Sequence, residues 1–338
     1  MNITMPTIFD LDYAVDFTCF LDKLTYDNEY IYDYTNMGTV EPFGMLLISS
    51  KLRQFYKKHN GSKHFVVGHN GNGYASHMGY FQSAMIDYGK KPGEASGSNR
   101  YIPLTDVDIK DSYKVALFEK GMCIEEYIEK EIATRLVNVV STESEKLKET
   151  LIFCITEIIR NVYDHSKSER LWFAAQYWPT KDLVEIAILD EGQGITSTLS
   201  RNKKFVIQDD DDAIRLSLKP GVTKSLDNKK SSDIYSNQGF GLYMTSKICE
   251  IAGCFSICSG DTCLSIGCDE TISKRASFNG TAIRLRLHPS KIRDIDFEKI
   301  REEGNKLAKK LSDNDSIRVE SYIIEDDWRD KYGTIYFY

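Results

Sequence analysis

The sequence predicts an α/β protein in two parts with a short extension. Three observations carry this. Strand and helix signals alternate through the first hundred residues, the pattern of a small α/β domain. Beyond them, amphipathic helices again precede blocks of apolar strand residues, so the rest of the chain also mixes helix and strand. A chain of 338 residues, 41% of them apolar, also has material for more than one core. The expected division is a small α/β domain over 1–112, a second mixed α/β domain over 113–288 and an extension over 289–338.

The elements follow in order. Asn28 to Thr35 alternates with period two and is rich in aromatic and β-branched residues, so it reads as a strand. Pro42 to His59 reads as a helix with proline in its first turn. K-H-F-V-V-G is a second strand, and Tyr74 to Tyr88 a second helix. Lys91 to Asn99 is a loop by its Pro, Gly and Ser content, and Tyr101 to Ile109 a third strand for the first domain. Ile124 to Val140 is a helix. Ser141 or Thr142 then caps a further helix, Leu147 to Tyr163, whose Leu147, Leu151, Ile155, Ile158 and Val162 share one face. Strands are expected at Leu171 to Tyr177 and Leu183 to Leu189. A polar stretch from Thr196 to Gln238 follows. Its acidic run, Asp209 to Asp212, suits a solvated helix start. A helix from the next glycines to about Ile251 leads to three apolar strands, the last being T-A-I-R-L-R-L. The extension offers one amphipathic helix, about Phe297 to Leu311, and two short strand candidates.

Composition excludes some classes. No apolar run reaches the ~18 residues of a membrane span. The start lacks a basic segment followed by an apolar stretch, so a cytoplasmic location is expected. A formal charge of -7 gives no global drive toward nucleic acid. Five of the eight cysteines (Cys249, Cys254, Cys258, Cys263, Cys268) crowd one segment without the close pairs of a zinc site. They read as small buried residues on strands. His64, His69 and His77 also lack ligand spacing.

Three short motifs carry chemistry. In E-I-I-R-N-V-Y-D-H-S, Glu157 and Asn161 lie one helical turn apart, and Asp164 with His165 continues that face. An ordinary solvated face would look the same, yet a polar column on an otherwise apolar helix calls for partners. In L-V-E-I-A-I-L-D-E-G-Q-G, a buried-looking strand ends in Asp190, and Gly192 and Gly194 allow a sharp turn and close ligand approach. A carboxylate there can accept a hydrogen bond from an exocyclic amine such as that of adenine. In N-Q-G-F-G-L, Gly239 and Gly241 open a helix, where free N–H groups suit a polyphosphate. This is neither the lysine-bearing phosphate loop nor a dinucleotide fingerprint.

In this order and spacing the motifs resemble the GHKL ATP-binding superfamily of gyrases, large heat-shock chaperones, histidine kinases and mismatch-repair ATPases. The resemblance covers roughly residues 142–287 and implies a Bergerat-type α/β sandwich that binds ATP with Mg2+. It implies that Glu157 activates an attacking water and that Asn161 is the magnesium ligand; Asp164, on the same helix face, is a further candidate for nucleotide contact. Asp190 would hold adenine, with Gly192 and Gly194 as its turn and Thr281 supporting it from a late strand. Gly239, Gly241 and Leu242 match the loop around the phosphates. K-P-G-V-T-K-S resembles a sensor-kinase lid, which would bring Thr223 and Lys224 to the phosphates within a mobile lid over about 196–238. No phospho-acceptor histidine opens the helix motif, and no receiver domain is evident, which speaks against a sensor kinase.

The first domain, with G-T-V-E-P-F-G-M-L-L-I, resembles STAS-like domains of anti-sigma-factor antagonists. Pro42 and Phe43 stand where such domains offer a serine for phosphorylation; Thr39 is nearby. The expected function is magnesium-dependent ATP hydrolysis driving a conformational or assembly switch in bacterial-type regulation or defence. Two alternatives are a serine/threonine kinase of the anti-sigma type and a non-hydrolysing ATP switch. A protein partner or self-association is expected, without membrane contact.

Overall fold

The structure, a computed structural model, describes residues 1–140, 144–222, 239–292 and 295–312. The described residues form a mixed α/β structure with two sheets. The first is parallel, in the order β1 (Asn2–Thr4), β2 (Glu29–Asp33), β3 (Lys63–Val67). Its connections are α1 (Leu11–Lys23) and α2 (Pro42–Lys58). Two short helices follow, α3 (Gly73–His77) and α4 (Tyr80–Ser83). The single helix expected over 74–88 is therefore broken. Gly79 takes a left-handed φ of 85° between the two pieces, and Met85 is left-handed beyond them.

The second sheet is antiparallel in the order β4-β5-β6-β8-β7: β4 (Tyr101–Asp108), β5 (Arg170–Trp178), β6 (Leu183–Asp190), β7 (Gly253–Gly267) and β8 (Thr271–Leu287). β4 was expected in the first domain but hydrogen-bonds β5, so the sheets divide before Tyr101. Three final strands were expected; two long ones occur. β7 continues through register shifts around Gly260, so what reads as separate strands is one bent strand.

Between β4 and β5 lie α5 (Ile109–Lys114), α6 (Ile124–Tyr127), α7 (Thr134–Val137) and α8 (Glu145–Asn161), with π-helical turns at Val115–Lys120 and Ile128–Ala133. The observed cap of α8 is Ser144, whose hydroxyl accepts from Leu147 N at 3.4 Å; Ser141 and Thr142 lie outside the described residues. The stretch expected as a lid holds α9 (Gly194–Leu199) and α10 (Asp210–Ser217) in its first half. Asp209 caps α10, and Asp210, Asp211 and Asp212 fill its first turn, as the acidic run suggested. α11 (Gly241–Ala252), α12 (Pro289–Ile292) and α13 (Phe297–Ser312) complete the described chain. The strand candidates beyond α13 lie outside the described residues.

The five-stranded sheet is covered on both faces. Ile186 and Ile188 of β6, Phe173 of β5 and Leu285 of β8 join Leu151, Ile155 and Ile158 of α8 and Ile248 of α11 in one core. The alternate residues, Ala187, Leu189, Trp172 and Ala282, join Leu46, Leu47 and Phe17 of α2 and α1 in another. That second core also takes in Ile3, Tyr30 and Tyr32 of the parallel sheet. α2 thus lies between two sheets, which is why Pro42 through Leu52 are all buried. No helix among the described residues is long and apolar enough to cross a membrane.

Candidate functional site

A cavity of about 250 Å³ opens between α8, the end of β6, α9 and the start of α11. Glu157, Asn161, Asp164, Asp190, Gly194, Gly239, Leu242 and Thr281 all line it. Three separate motifs therefore converge on one space. Thr223 and Lys224 lie outside the described residues.

α8 supplies one wall. Its buried face, from Leu147 to Ile159, seats it on the sheet and leaves Glu157 and Asn161 at the cavity. Below Asn161 the helix widens into a π turn, Val162–Ser166, which places both Asp164 and His165 on the wall. Glu157 accepts from Arg160 Nη1 at 3.0 Å. Burial raises the Glu157 carboxyl above the usual range, and Arg160 opposes the rise.

β6 supplies the floor. Asp190 is 3% exposed at the strand's end. Its Oδ1 accepts from Gly192 N at 2.8 Å, and Thr281, its register partner on β8, also hydrogen-bonds the carboxyl. Burial pushes Asp190 up to about 7, because two donors only partly replace water. Gly192 does not line the cavity but shapes it. A Cβ there would meet the Ser166 carbonyl oxygen at 2.1 Å, so only glycine lets the turn close onto the π segment.

The third wall is the start of α11. Phe240 occupies its cap position and gives no side-chain hydrogen bond, so among the described residues the first N–H groups have no side-chain cap. Gly241 is also behind the surface. A Cβ on it would sit 2.3 Å from Glu157 Cβ, so glycine brings the positive end of α11 against the acid of α8.

The site has other members that motif reading missed. Ile188, Ile257 and Ile283 make an apolar sheet-side wall suited to a flat ring, and Leu199 and Val222 face it. They are ordinary strand and loop apolar residues, without a signal in one sequence. His165 Nδ1 is buried in this wall and has no hydrogen-bond partner among the described residues. An orphaned nitrogen, a buried carboxyl and an uncapped helix start in one cavity fit a ligand with a polar base and an anionic end. Asn161 would be the protein's amide ligand for a magnesium ion, a metal that binds few side chains and keeps several waters.

The clustered cysteines lie apart from this site. Cys249 is on α11, Cys254, Cys258 and Cys263 are on β7, and Cys268 is exposed beyond it. Cys249, Cys258 and Cys263 are buried.

No protein-family model matches the chain, and no curated protein is similar enough to count as a relative.

Proposed function

We propose that this protein binds ATP with magnesium and hydrolyses it, using nucleotide state to drive a conformational or assembly switch. One observation carries the reading: Glu157, Asn161, Asp190, Thr281 and the uncapped start of α11 line or border a single cavity. Asp190 would accept from the adenine amine, with the isoleucine wall against the ring. The start of α11 and the Asn161-held metal would face the phosphates. Glu157, its carboxyl raised above the usual range by burial against the pull of Arg160, would take the proton of the attacking oxygen. An antiparallel sheet with α8 and α11 on one face supports a Bergerat-type sandwich. The parallel unit would be a STAS-like regulatory domain acting in the cytoplasm. Its E-P-F-G turn is shut: Pro42 and Phe43 are buried, while Thr39 is exposed.

The test is steady-state phosphate release with ATP and magnesium. Wild type should exceed Glu157→Gln by roughly 10²-fold or more while both bind ATP. Equal rates with equal binding would exclude hydrolysis by this residue.

A second cavity favours the alternative in which a protein hydroxyl replaces water. It measures about 350 Å³ and continues the same face of α8 past Glu157. Thr150 and Phe153 line it, with Phe240, Met244 and Phe297 opposite. A water molecule needs only ~30 Å³. Label from ATP appearing on protein instead of in free phosphate would establish this variant of the reading.

A further inference from the structure

Residues along a strand alternate between faces, so neighbours at the end of β6 serve different layers. Asp190 opens to the cavity. Glu191 turns to the N-terminal layer, where α2 holds it. Arg53 Nε and Nη2 reach Glu191 Oε1 at 3.0 and 2.6 Å, and Ser50 Oγ donates to the same oxygen at 2.5 Å. Arg53 is itself fixed. Its guanidinium lies 4.0 Å from the centroid of the Trp172 ring, and Nη1 donates to the Ser83 carbonyl. A second grip holds the other end of the strand. Glu185 Oε1 accepts from Phe43 N at 3.0 Å, at the start of α2, which has no side-chain cap of its own. α2 is thus pinned along β6 at both ends.

We propose that Arg53 is a positioning residue for Asp190, so that α2 makes the N-terminal layer a working part of the nucleotide site. This rests on the reading of the cavity as an ATP site. The geometry is direct. Glu191 lies between Asp190 and Gly192, whose N–H bonds the Asp190 carboxylate. Holding Glu191 therefore holds both ends of that bond. The turn's other anchors are backbone donations from Glu191 N to Ser168 Oγ and from Gln193 N to the Ser166 carbonyl.

Charge gives the same residue a second lever. Glu191 raises Asp190's hold on its proton, and Arg53 neutralises Glu191. Arg170 also faces Arg53 but is paired with Asp106. On the cavity side, Thr281 and Gly192 donate to Asp190, and Glu157, Arg160, Asp164 and His165 line the same space. Binding of an amine donor needs the Asp190 carboxylate, so affinity should fall as pH drops through its pKa. Without Arg53, the uncompensated Glu191 should move that fall to higher pH. By linkage, nucleotide should also tighten the docking of α2.

The experiment is ATP affinity against pH, by calorimetry on the full chain, for wild type, Arg53→Met, Glu191→Gln and the double variant. Methionine keeps much of the packing on Trp172. Arg53→Met should weaken ATP about tenfold at pH 7 and raise the acid midpoint by about half a unit or more, with magnesium dependence unchanged. Glu191→Gln should lower the midpoint, and adding it to Arg53→Met should reverse the rise. An unchanged midpoint in both single variants overturns the proposal, as does a uniform loss that Glu191→Gln does not rescue. Should Arg53→Met fail to fold, the Glu191→Gln shift decides alone. A wild type that does not bind ATP removes the site reading itself, whereas binding without the pH shifts removes only this inference.

Discussion

The two faces of the five-stranded sheet are built from the same strands and treat their most buried carboxylates, Glu185 and Asp190, in opposite ways. On the N-terminal face, Glu185 is fully buried, with one oxygen 2.8 Å from Arg284 Nε and the other capping α2. Glu41 adds contacts to Arg284 and Arg286, and Lys51 reaches Asp22 at 2.9 Å. On the opposite face, among the described residues, Asp190 has two donors, His165 Nδ1 has no partner, and α11 begins without a side-chain cap. A buried acid costs little when paired and much when it is not. The first face spends its polar groups on docking two layers. The second leaves Asp190 without a cation at the edge of a cavity, where a ligand can complete it.

The sharpest way to break this contrast is to unpair the docking face. Glu185→Ala leaves buried Arg284 with only its 3.4 Å contact to Glu41 among the described residues and uncaps α2, and should cost about 3 kcal/mol in urea unfolding. A loss below about 1 kcal/mol would mean that the pairing is incidental. On the cavity face, Gly241→Val forces α11 off Glu157. It should cost about 3 kcal/mol and weaken ATP more than tenfold. Normal affinity in that variant would show that the start of α11 is not at the ligand.

Asp190 sets a smaller, pH-dependent effect. Its native pKa is raised to about 7 from an ordinary 3.8. The native form therefore keeps a proton that the unfolded chain gives up. This stabilising contribution is complete below about pH 4 and is lost as pH rises through 7. Asp190→Asn should flatten the stability profile over that window and gain on the order of 2 kcal/mol at pH 8. A wild-type profile that does not fall between pH 4 and 7 relative to Asp190→Asn would contradict the burial argument. Least of all, Ser144→Ala should cost ~0.5–1 kcal/mol in thermal melts through loss of the α8 cap, with ATP affinity intact.

The contrast also explains what one sequence can reveal. Glu157, Asn161, Asp190 and the glycines were legible as candidates because they lie in the last turn of α8 or where a strand or helix ends or begins, and short spacing encodes such points. β6 was legible as a strand from its apolar run. Its pairing of Glu191 with Arg53, 138 residues apart, was not, since nothing local marks either residue. Strand character was plain in Tyr101 to Asp108, but its sheet was not, because propensity does not name a partner. α9 hid in a polar stretch in which only the acidic start of α10 was marked. Their anchors are tertiary: Thr196 Oγ1 bonds Asp210, and Asp210 accepts from Asp261 N at 2.8 Å. Helix 74–88 failed at Gly79, a residue whose left-handed turn outweighs the apolar pattern around it.

The central claim is that the unsatisfied face is a nucleotide site read by Asp190. Calorimetric titration of ATP at pH 8, where the Asp190 carboxyl is largely ionised, tests it most directly. Wild type should bind ATP with magnesium, prefer it to GTP, and lose about 10²-fold or more in affinity as Asp190→Asn, which folds normally. Equal binding of ATP by the two proteins, or none by either, would contradict the account.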